Sequence, residues 1–284
     1  MSTRGMTLVS WNCAGGVREK WPKLLERINF DVAILTECSS LPTALLGDPS
    51  REVTQVVRRP VADPRHPKHI AVFARAPWKV EEVQHREQLP WLVHARVTDG
   101  AGRFGSFDVL AVWGLSSQWA RKLGYAHQTR EVIEGVLAKL PTDYPVVLAG
   151  DLNTPIESDK NDARVHKQNV ARLCELDLLS AFSACFLGTP PLEKPTYFWR
   201  WKPDKGFHID HVFVPYGWCD RKGFAMDVGT FADWVEPRIS DHVPLVINVP
   251  GPTAPPRKAW TDSLEVRGPR LRGGAPTRGV SPRE

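Results

Sequence analysis

The sequence predicts an α/β fold, and three observations carry the prediction. It opens on a strand–helix–strand pattern, short apolar runs recur along its 284 residues with helix-spaced segments between them, and polar side chains collect at the ends of those runs. Residues 6–11 (MTLVSW) alternate and are rich in β-forming types, which predicts a strand. Residues 18–29 place Trp21, Leu24, Leu25 and Ile28 at helical spacing, and residues 31–36 (DVAILT) form the short apolar run of a buried strand. Such a β-α-β opening favours a sheet covered by helices.

Further strands are predicted at 70–74 (IAVFA), 91–97 (WLVHARV), 106–113 (SFDVLAVW), 145–149 (PVVLA), 209–214 (IDHVFV) and 244–249 (PLVINV). A long helix is expected over about 119–140 and a shorter one over about 162–175. Residues 58–69, rich in Arg, Pro and His, and residues 187–195, with Gly and several prolines, read as loops. No internal repeat is visible.

Composition bounds the class. With 42% hydrophobic and 24% charged residues the chain is globular over most of its length. Residues 1–250 are expected to form one domain. From 251 to 284 the chain is rich in Pro, Gly and Arg and poor in large apolar groups, so it is expected to be a disordered, solvated tail. That tail holds seven Lys+Arg against three Asp+Glu from residue 257 onward, so four of the five net positive charges lie there. The nearly neutral remainder lacks the cationic surplus of a strong nucleic-acid clamp. Five cysteines without a C-x-x-C pair fit a reducing compartment. The first residues lack an apolar signal core, and no run approaches the roughly 18 apolar residues of a membrane span. The expectation is a soluble, cytoplasmic protein with no membrane span.

Five segments then hold polar residues at strand ends: Trp11-Asn12-Cys13, Thr36-Glu37-Cys38, Gly150-Asp151-Leu152-Asn153, His208-Ile209-Asp210-His211 and Ser240-Asp241-His242. Strand ends are where α/β proteins gather functional groups, because the sheet fixes position while loops leave access. Carboxylates, carboxamides and imidazoles of this kind suit Mg²⁺ or Mn²⁺, and Cys–His spacing for zinc is absent. The chemistry they imply is phosphoester hydrolysis. A divalent ion neutralises phosphate oxygens, a carboxylate orients water, and a carboxamide and an imidazole bind developing charge.

As a set, WN, TE, GDLN at 150–153 and SDH at 240–242, with PTYFW at 195–199 and GFHIDH at 206–211, resemble the endonuclease/exonuclease/phosphatase superfamily from about residue 6 to 249. The resemblance implies a four-layer α/β sandwich, two mostly antiparallel mixed sheets packed face to face with helices outside. It implies Glu37 as principal metal ligand, with Asn12 beside the metal and Asp241 assisting metal binding or water activation. It implies Asp151 as the group that positions water, Asn153 on the scissile phosphate, and His242 on the phosphate with its tautomer set by Asp210. One departure stands out. Where members carry a His, or in the repair enzymes a Tyr, at the end of a middle strand, this sequence has Gly114; either His127, Gln118 or His208 substitutes, or the leaving group needs little protonation.

Around this set, His208 shares the face of Asp210 by strand period and is a candidate substrate contact, while His211 is expected on the opposite face. Trp199, Trp201 and Phe207, interleaved with Arg200, Lys202 and Lys205, are candidates for stacking on a base, a sugar or a lipid tail. Cys13 and Cys38 are expected to point into the core. The expected partner is nucleic acid, with a phosphorylated small molecule or lipid headgroup second. A weakly active or inactive binding module on the same fold is the reading that Gly114 favours.

Overall fold

The computed structural model describes residues 5–15, 20, 23–24, 26–38, 53–58, 68–84, 89–102, 104–120, 122–154, 161–186 and 194–251. Two six-stranded sheets dominate it. The first contains β1 (Met6–Asn12), β2 (Val32–Cys38), β3 (Val53–Arg58), β4 (His69–Arg75), β13 (Ala225–Val228) and β14 (Leu245–Val249), in the spatial order β13-β14-β1-β2-β4-β3. The second contains β5 (Trp78–Glu82), β6 (Leu92–Asp99), β7 (Ser106–Trp113), β8 (Val146–Asp151), β9 (Leu178–Ser180) and β12 (Asp210–Pro215), in the order β5-β6-β7-β8-β12-β9. Each sheet has a single parallel pair, β1 with β2 and β7 with β8, and is otherwise antiparallel. A two-stranded hairpin of β10 (Tyr197–Phe198) and β11 (Gly206–Phe207) stands apart from both.

Period-two alternation decides how the sheets stack. Along β1, Met6 and Leu8 point into a core shared with Val93, Ala95, Val109 and Val147 of the second sheet. Val9 and Trp11 point the other way, into a second cluster with Leu24, Trp234, Val235 and Ile239. The second sheet is covered on its outside by α1 (Tyr125–Gly135) and α2 (Asn161–Glu175), through residues such as Val132, Ile133 and Leu173. Two short helices, α3 (Ala181–Phe186) and α4 (Tyr216–Cys219), flank β9 and β12. The result is the sandwich expected from the sequence: two mixed sheets face to face with helical layers outside.

The eight long apolar runs all form strands near the expected bounds. Apart from the short β10–β11 hairpin, the strands with no sequence signal, β3, β5, β9 and β13, are the four edge strands of the two sheets. Edge strands are short and half solvated, so they lack a continuous apolar run. The long helix expected over 119–140 is shorter: α1 covers Tyr125–Gly135, preceded by turns and followed by a 3₁₀ turn at Leu137–Lys139. Gly124 as N-cap and Gly135 as last residue bound it, glycine being a poor helix former that sits well at helix ends. In the first helical segment, Lys20, Lys23, Leu24, Glu26 and Arg27 are helical. Of the loops expected at 58–69 and 187–195 and the disordered tail expected at 251–284, residues 59–67, 187–193 and 252–284 lie outside the described residues, while Arg58 and His69 end and begin strands. No described helix is long and apolar enough to cross a membrane.

Candidate active site

Strand directions bring the five polar segments to one end of the sandwich. β1 and β2 run parallel, so Asn12 lies beside Thr36 and Glu37 follows at the same end. β14 is antiparallel to β1, pairing Ser10 with Leu245, so the residues that precede β14 reach that end too. In the second sheet, β8 ends on Asp151, and antiparallel β12 begins on Asp210 as its direct partner. The parallel partner of Asp151 on the other side is Trp113, which leads into Gly114.

Hydrogen bonds then join the sheets. Asn12 Nδ2 donates to Asp151 Oδ2 at 2.8 Å, across the sandwich. Asn153 donates to Asp151 twice, from its backbone N–H to Oδ1 at 3.0 Å and from Nδ2 to Oδ2 at 3.1 Å. Its Nδ2 also reaches the Gly114 carbonyl at 3.0 Å. Across from this group, His242 Nδ1 and Asp210 Oδ2 are 2.8 Å apart. The loop that carries His242 is held by Ser240, whose hydroxyl donates to the Asn12 carbonyl at 2.8 Å and accepts the His242 N–H at 3.1 Å. Trp11 Nε1 donates to the His242 carbonyl at 3.1 Å. The short hairpin is fastened here as well. Thr196 Oγ1 accepts the N–H groups of Ile209 and Asp210, each at 3.0 Å, and its carbonyl accepts the Val243 N–H at 2.8 Å.

Glu37 sits in a bulge. Between the pairs Leu35–Ala71 and Cys38–His69 the β2 strand carries one residue more than β4, and Glu37 adopts φ 51°. A bulge re-aims a side chain out of the regular alternation, and positive φ at a non-glycine residue is a local cost that concentrates at functional positions. Asn153 has the same feature, φ 52°. The Glu37 carboxylate pairs with the Lys68 ammonium. Lys20 donates to the Cys13 carbonyl. Glu37, Lys68, Gly114, Gln118, Tyr125 and Asn153 line a cavity of about 280 Å³ beside Asp151.

Two glycines are required by close approach. A Cβ at Gly150, which has φ 137°, would lie 2.0 Å from the Val112 carbonyl oxygen, so the GDLN segment could not start on another residue without moving β7. A Cβ at Gly114 would lie 2.8 Å from the Leu152 carbonyl oxygen and 3.2 Å from the Tyr125 ring. The position where the resemblance puts a His is therefore closed by a backbone carbonyl on one side and an aromatic ring on the other.

The electrostatics follow from burial and crowding. Burial, and then the charge of Asp210, push the Asp151 carboxyl up to about 8, while His242 and the Asn12 amide pull the other way. Burial would lower the His242 imidazolium. The Asp210 carboxylate, by charge and hydrogen bond, outweighs it and raises His242 to about 9. Burial also raises Asp241. Burial raises Cys13 and takes Cys38 to about 12, so neither is a thiolate nucleophile at neutral pH, and both side chains are buried as expected.

Several expectations need correction. His208 does not share the face of Asp210. Residues 208 and 209 precede the first residue of β12, so strand period does not extend to them. Its ring instead packs on Phe182 at 4.6 Å and on His211 at 5.0 Å, and its Nδ1 faces the Lys194 carbonyl at 2.8 Å. His211 does lie opposite Asp210, with Nε2 at 3.0 Å from the Thr154 carbonyl and its ring 4.8 Å from that of His166. His127 faces Asp162 at 3.7 Å rather than the cavity. Of the three substitutes considered for the absent His, Gln118 alone lines the cavity.

Trp199 and Phe207 are 40% and 47% exposed, among the few large hydrophobics so placed. The Lys205 ammonium and the Arg200 guanidinium lie 4.7 and 4.3 Å from the Trp199 ring centroid, and Arg238 lies over Trp201. Phe207 stacks on Tyr197, whose ring is 4.7 Å from that of His242. The sequence reading missed Lys68, Lys20, Thr196 and Tyr125. Thr196 lay inside the PTYFW segment without being singled out, and Tyr125 lay within the helix expected over about 119–140, beyond the strand that ends at Trp113.

The residues present fit a hard divalent cation. Glu37, Asp241 and Asp151 offer carboxylate oxygens, the ligand type such ions prefer. Glu37 already draws one cation, the Lys68 ammonium. Among the described residues, Asp151, Asp210 and His242 place ligand atoms within 4.8 Å of one another, and Asp210 Oδ1 is buried without a hydrogen-bond partner.

Comparison with known proteins agrees with this arrangement. No curated protein sequence matches the chain significantly. Among solved structures, an AP endonuclease from Archaeoglobus fulgidus superposes with TM-score 0.60 at 15% identity, covering 85% of this chain and 98% of that one. A Neisseria 3′ phosphatase, NExo, bound to a product DNA hairpin gives TM-score 0.61 at 18% identity over 86% and 99% of the two chains. A mannosyl-6-phosphatase from Bacteroides thetaiotaomicron gives TM-score 0.51 at 14% identity over 86% and 99%. At these identities the likeness shows the fold. A sequence model of one family, however, matches residues 9–242, which hold all five polar segments. The chain belongs to the endonuclease/exonuclease/phosphatase family, whose members are phosphoric ester hydrolases.

Proposed function

We propose that the protein hydrolyses phosphodiester bonds by in-line attack of water on phosphorus, with a divalent cation and without a covalent enzyme intermediate. The observation that carries this reading is the position of Asp151. Its carboxylate is held by Asn12 and Asn153 and lies beside the Asp210–His242 pair, where all five polar segments meet. Asp151 orients the water and takes its proton, because burial and the charge of Asp210 make its carboxylate, once ionised, a stronger base than an exposed one. His242, kept as an imidazolium by Asp210, binds a non-bridging phosphate oxygen. Asn153 contacts the same phosphate. Glu37 holds the metal, with Asp241 assisting, and Asn12 lies beside it and fixes Asp151. Mg²⁺ or Mn²⁺, when bound, neutralises a phosphate oxygen and the leaving oxygen.

Glu37 is favoured over the buried trio as the principal ligand. Its side chain is partly exposed at the cavity, whereas in the trio the His242 imidazolium already compensates Asp210.

Nucleic acid is the substrate that the rim favours. Exposed Phe207 leads through Tyr197 to His242, and exposed Trp199 carries two cations against its ring. Stacking faces beside basic groups suit bases and the backbone phosphates between them. The small size of the cavity at Gly114, about 280 Å³, supports a second reading, a compact phosphorylated molecule.

The test is chelator-controlled hydrolysis with Mg²⁺ or Mn²⁺. Substrates are single- and double-stranded DNA, RNA, bis-p-nitrophenyl phosphate and p-nitrophenyl phosphate, with Asp151→Asn as the dead control. Metal-dependent cleavage that falls by about 10²–10⁴-fold in the control supports the mechanism. Trp199→Ala and Phe207→Ala should raise KM for oligonucleotides and leave bis-p-nitrophenyl phosphate unaffected. Turnover of the monoester alone would replace nucleic acid with the second reading, and turnover of none would remove the hydrolytic one.

A further inference from the structure

The cavity above Gly114 holds an unused donor. Tyr125 is the first residue of α1, and its ring edge lies 3.2 Å from where a Cβ at Gly114 would stand. The absence of a side chain at 114 is what leaves room for that ring. Tyr125 lines the same cavity as Glu37, Lys68 and Asn153. Among the described residues its hydroxyl has no hydrogen-bond partner, although Asp151 and Asp162 lie within electrostatic reach. A partly buried phenol left without an acceptor, beside a cavity that Lys68 and Asn153 also line, is poised for an anionic guest, since a hydrogen bond to a charged oxygen is about twice as strong as a neutral one.

We propose that Tyr125 donates its phenolic O–H to a phosphate oxygen of the substrate, filling from the helix the place that Gly114 leaves empty on the strand. The proposal rests on the phosphoesterase reading, since it takes the guest in this cavity to be a phosphoryl group. Burial, then the charges of Asp151 and Asp162, raise the phenol above its usual value, so it remains a donor through the neutral range. The side chains considered from the sequence as substitutes are less suited: Gln118 is exposed and uncharged, His127 is turned to Asp162, and His208 packs on Phe182 and His211. Tyr125 is partly buried and backed by Gly114, so its ring lies against the site wall.

The experiment compares wild type, Tyr125→Phe and, as a remote control, Tyr144→Phe. Tyr144 packs against Arg96, among groups the reaction does not use. Inorganic phosphate affinity in the presence of Mg²⁺ or Mn²⁺ is measured by calorimetry, and metal-dependent hydrolysis of bis-p-nitrophenyl phosphate by kcat and KM. Tyr125→Phe keeps the ring, so its melting midpoint should match wild type while phosphate affinity falls by about 10- to 100-fold. The Tyr144→Phe control should bind phosphate as wild type does. Equal phosphate affinity in Tyr125→Phe and wild type would overturn the proposal.

A second measurement does not depend on the variant's activity. In wild type with ¹³Cζ-labelled tyrosine, of which there are four, the Tyr125 resonance should move on phosphate addition, and no movement would also overturn the assignment. Failure of the underlying reading looks different. If wild type cleaves no phosphoester while phosphate affinity still depends on Tyr125, the anion site stands and hydrolysis falls. If Tyr125→Phe cleaves and binds normally, hydrolysis stands and Tyr125 falls.

Discussion

Asp151 and Asp210 are cross-strand partners at the end of β8 and the start of β12, two buried carboxylates placed opposite each other. Like charges directly opposite are destabilising in a sheet. The cost is contained by giving each a different neighbourhood. Asp151 accepts from Asn12 and Asn153, and Asp210 is paired with His242. The outcome is a carboxyl raised to about 8 next to an imidazolium raised to about 9, groups whose titrations belong to the cluster as a whole. Asymmetry of this kind separates one group for the water from another for the phosphate.

Asp210→Asn should therefore act through His242. Without the carboxylate, the burial that lowers the imidazolium is no longer opposed, and His242 should titrate well below 9. Imidazole proton resonances followed against pH read this directly. Metal-dependent kcat/KM should fall by about 10- to 100-fold, the usual cost of removing a partner that orients a functional histidine. An unchanged His242 titration would refute the pairing.

Glu37→Gln should abolish stabilisation by metal. Wild type is expected to melt higher with Mg²⁺ or Mn²⁺ than with chelator, by linkage to the folded state. The variant should show no such shift at the same concentration and should retain its chelated melting midpoint, because Glu37 is at the rim and not in either core. A full metal shift in the variant would move the ion to the Asp151, Asp210 and His242 group.

Thr196→Val should damage stability more than its size suggests. Its hydroxyl accepts two buried backbone N–H groups, from Ile209 and Asp210, and valine would leave both unpaired. Each unpaired buried donor costs about 1–3 kcal/mol, so urea unfolding should show a loss of about 2 kcal/mol or more. Activity should fall too, because the same bonds place Asp210. Thr196→Ser, which keeps the hydroxyl, should restore most of both.

The three imidazoles beneath the site predict acid sensitivity. Burial lowers His166 to about 4, and it lowers His208 and His211 as well, with neighbouring imidazoles adding to the effect at His166 and His211. The unfolded chain, titrating near about 6.5, then binds more protons than the folded one. The imidazoles' contribution to stability is full above that pH and is lost as pH falls toward 4, outweighing the opposite contribution of Asp151, whose raised carboxyl binds its proton more tightly in the folded state. His166 alone accounts for about 3 kcal/mol over this window. Melting midpoints measured across it should drop, and His166→Phe should flatten the slope. A flat profile in wild type would show the cluster to be already solvated.

The apolar runs and polar strand ends were legible in the chain because both are local. A strand buried on both faces must be continuously apolar, and a carboxylate such as Asp151 or Asp210 at its end has no structural reason to be there. The helix-spaced positions of 162–175 were equally plain, and α2 follows them. What lay outside that local pattern was invisible. The four edge strands have half their surface in water and so carry no run, and His208 was misplaced because strand period was extended past the first residue of β12. The sequence by itself determined which residues end strands and so which groups are available for chemistry. Only the tertiary structure decided that Asn12 crosses between sheets to Asp151, that Lys68 comes to Glu37, and that Tyr125 stands over Gly114. The first two contacts join residues far apart in the chain, the third depends on where a helix docks beside its own strand, and all three are set by packing, which no short stretch of sequence encodes.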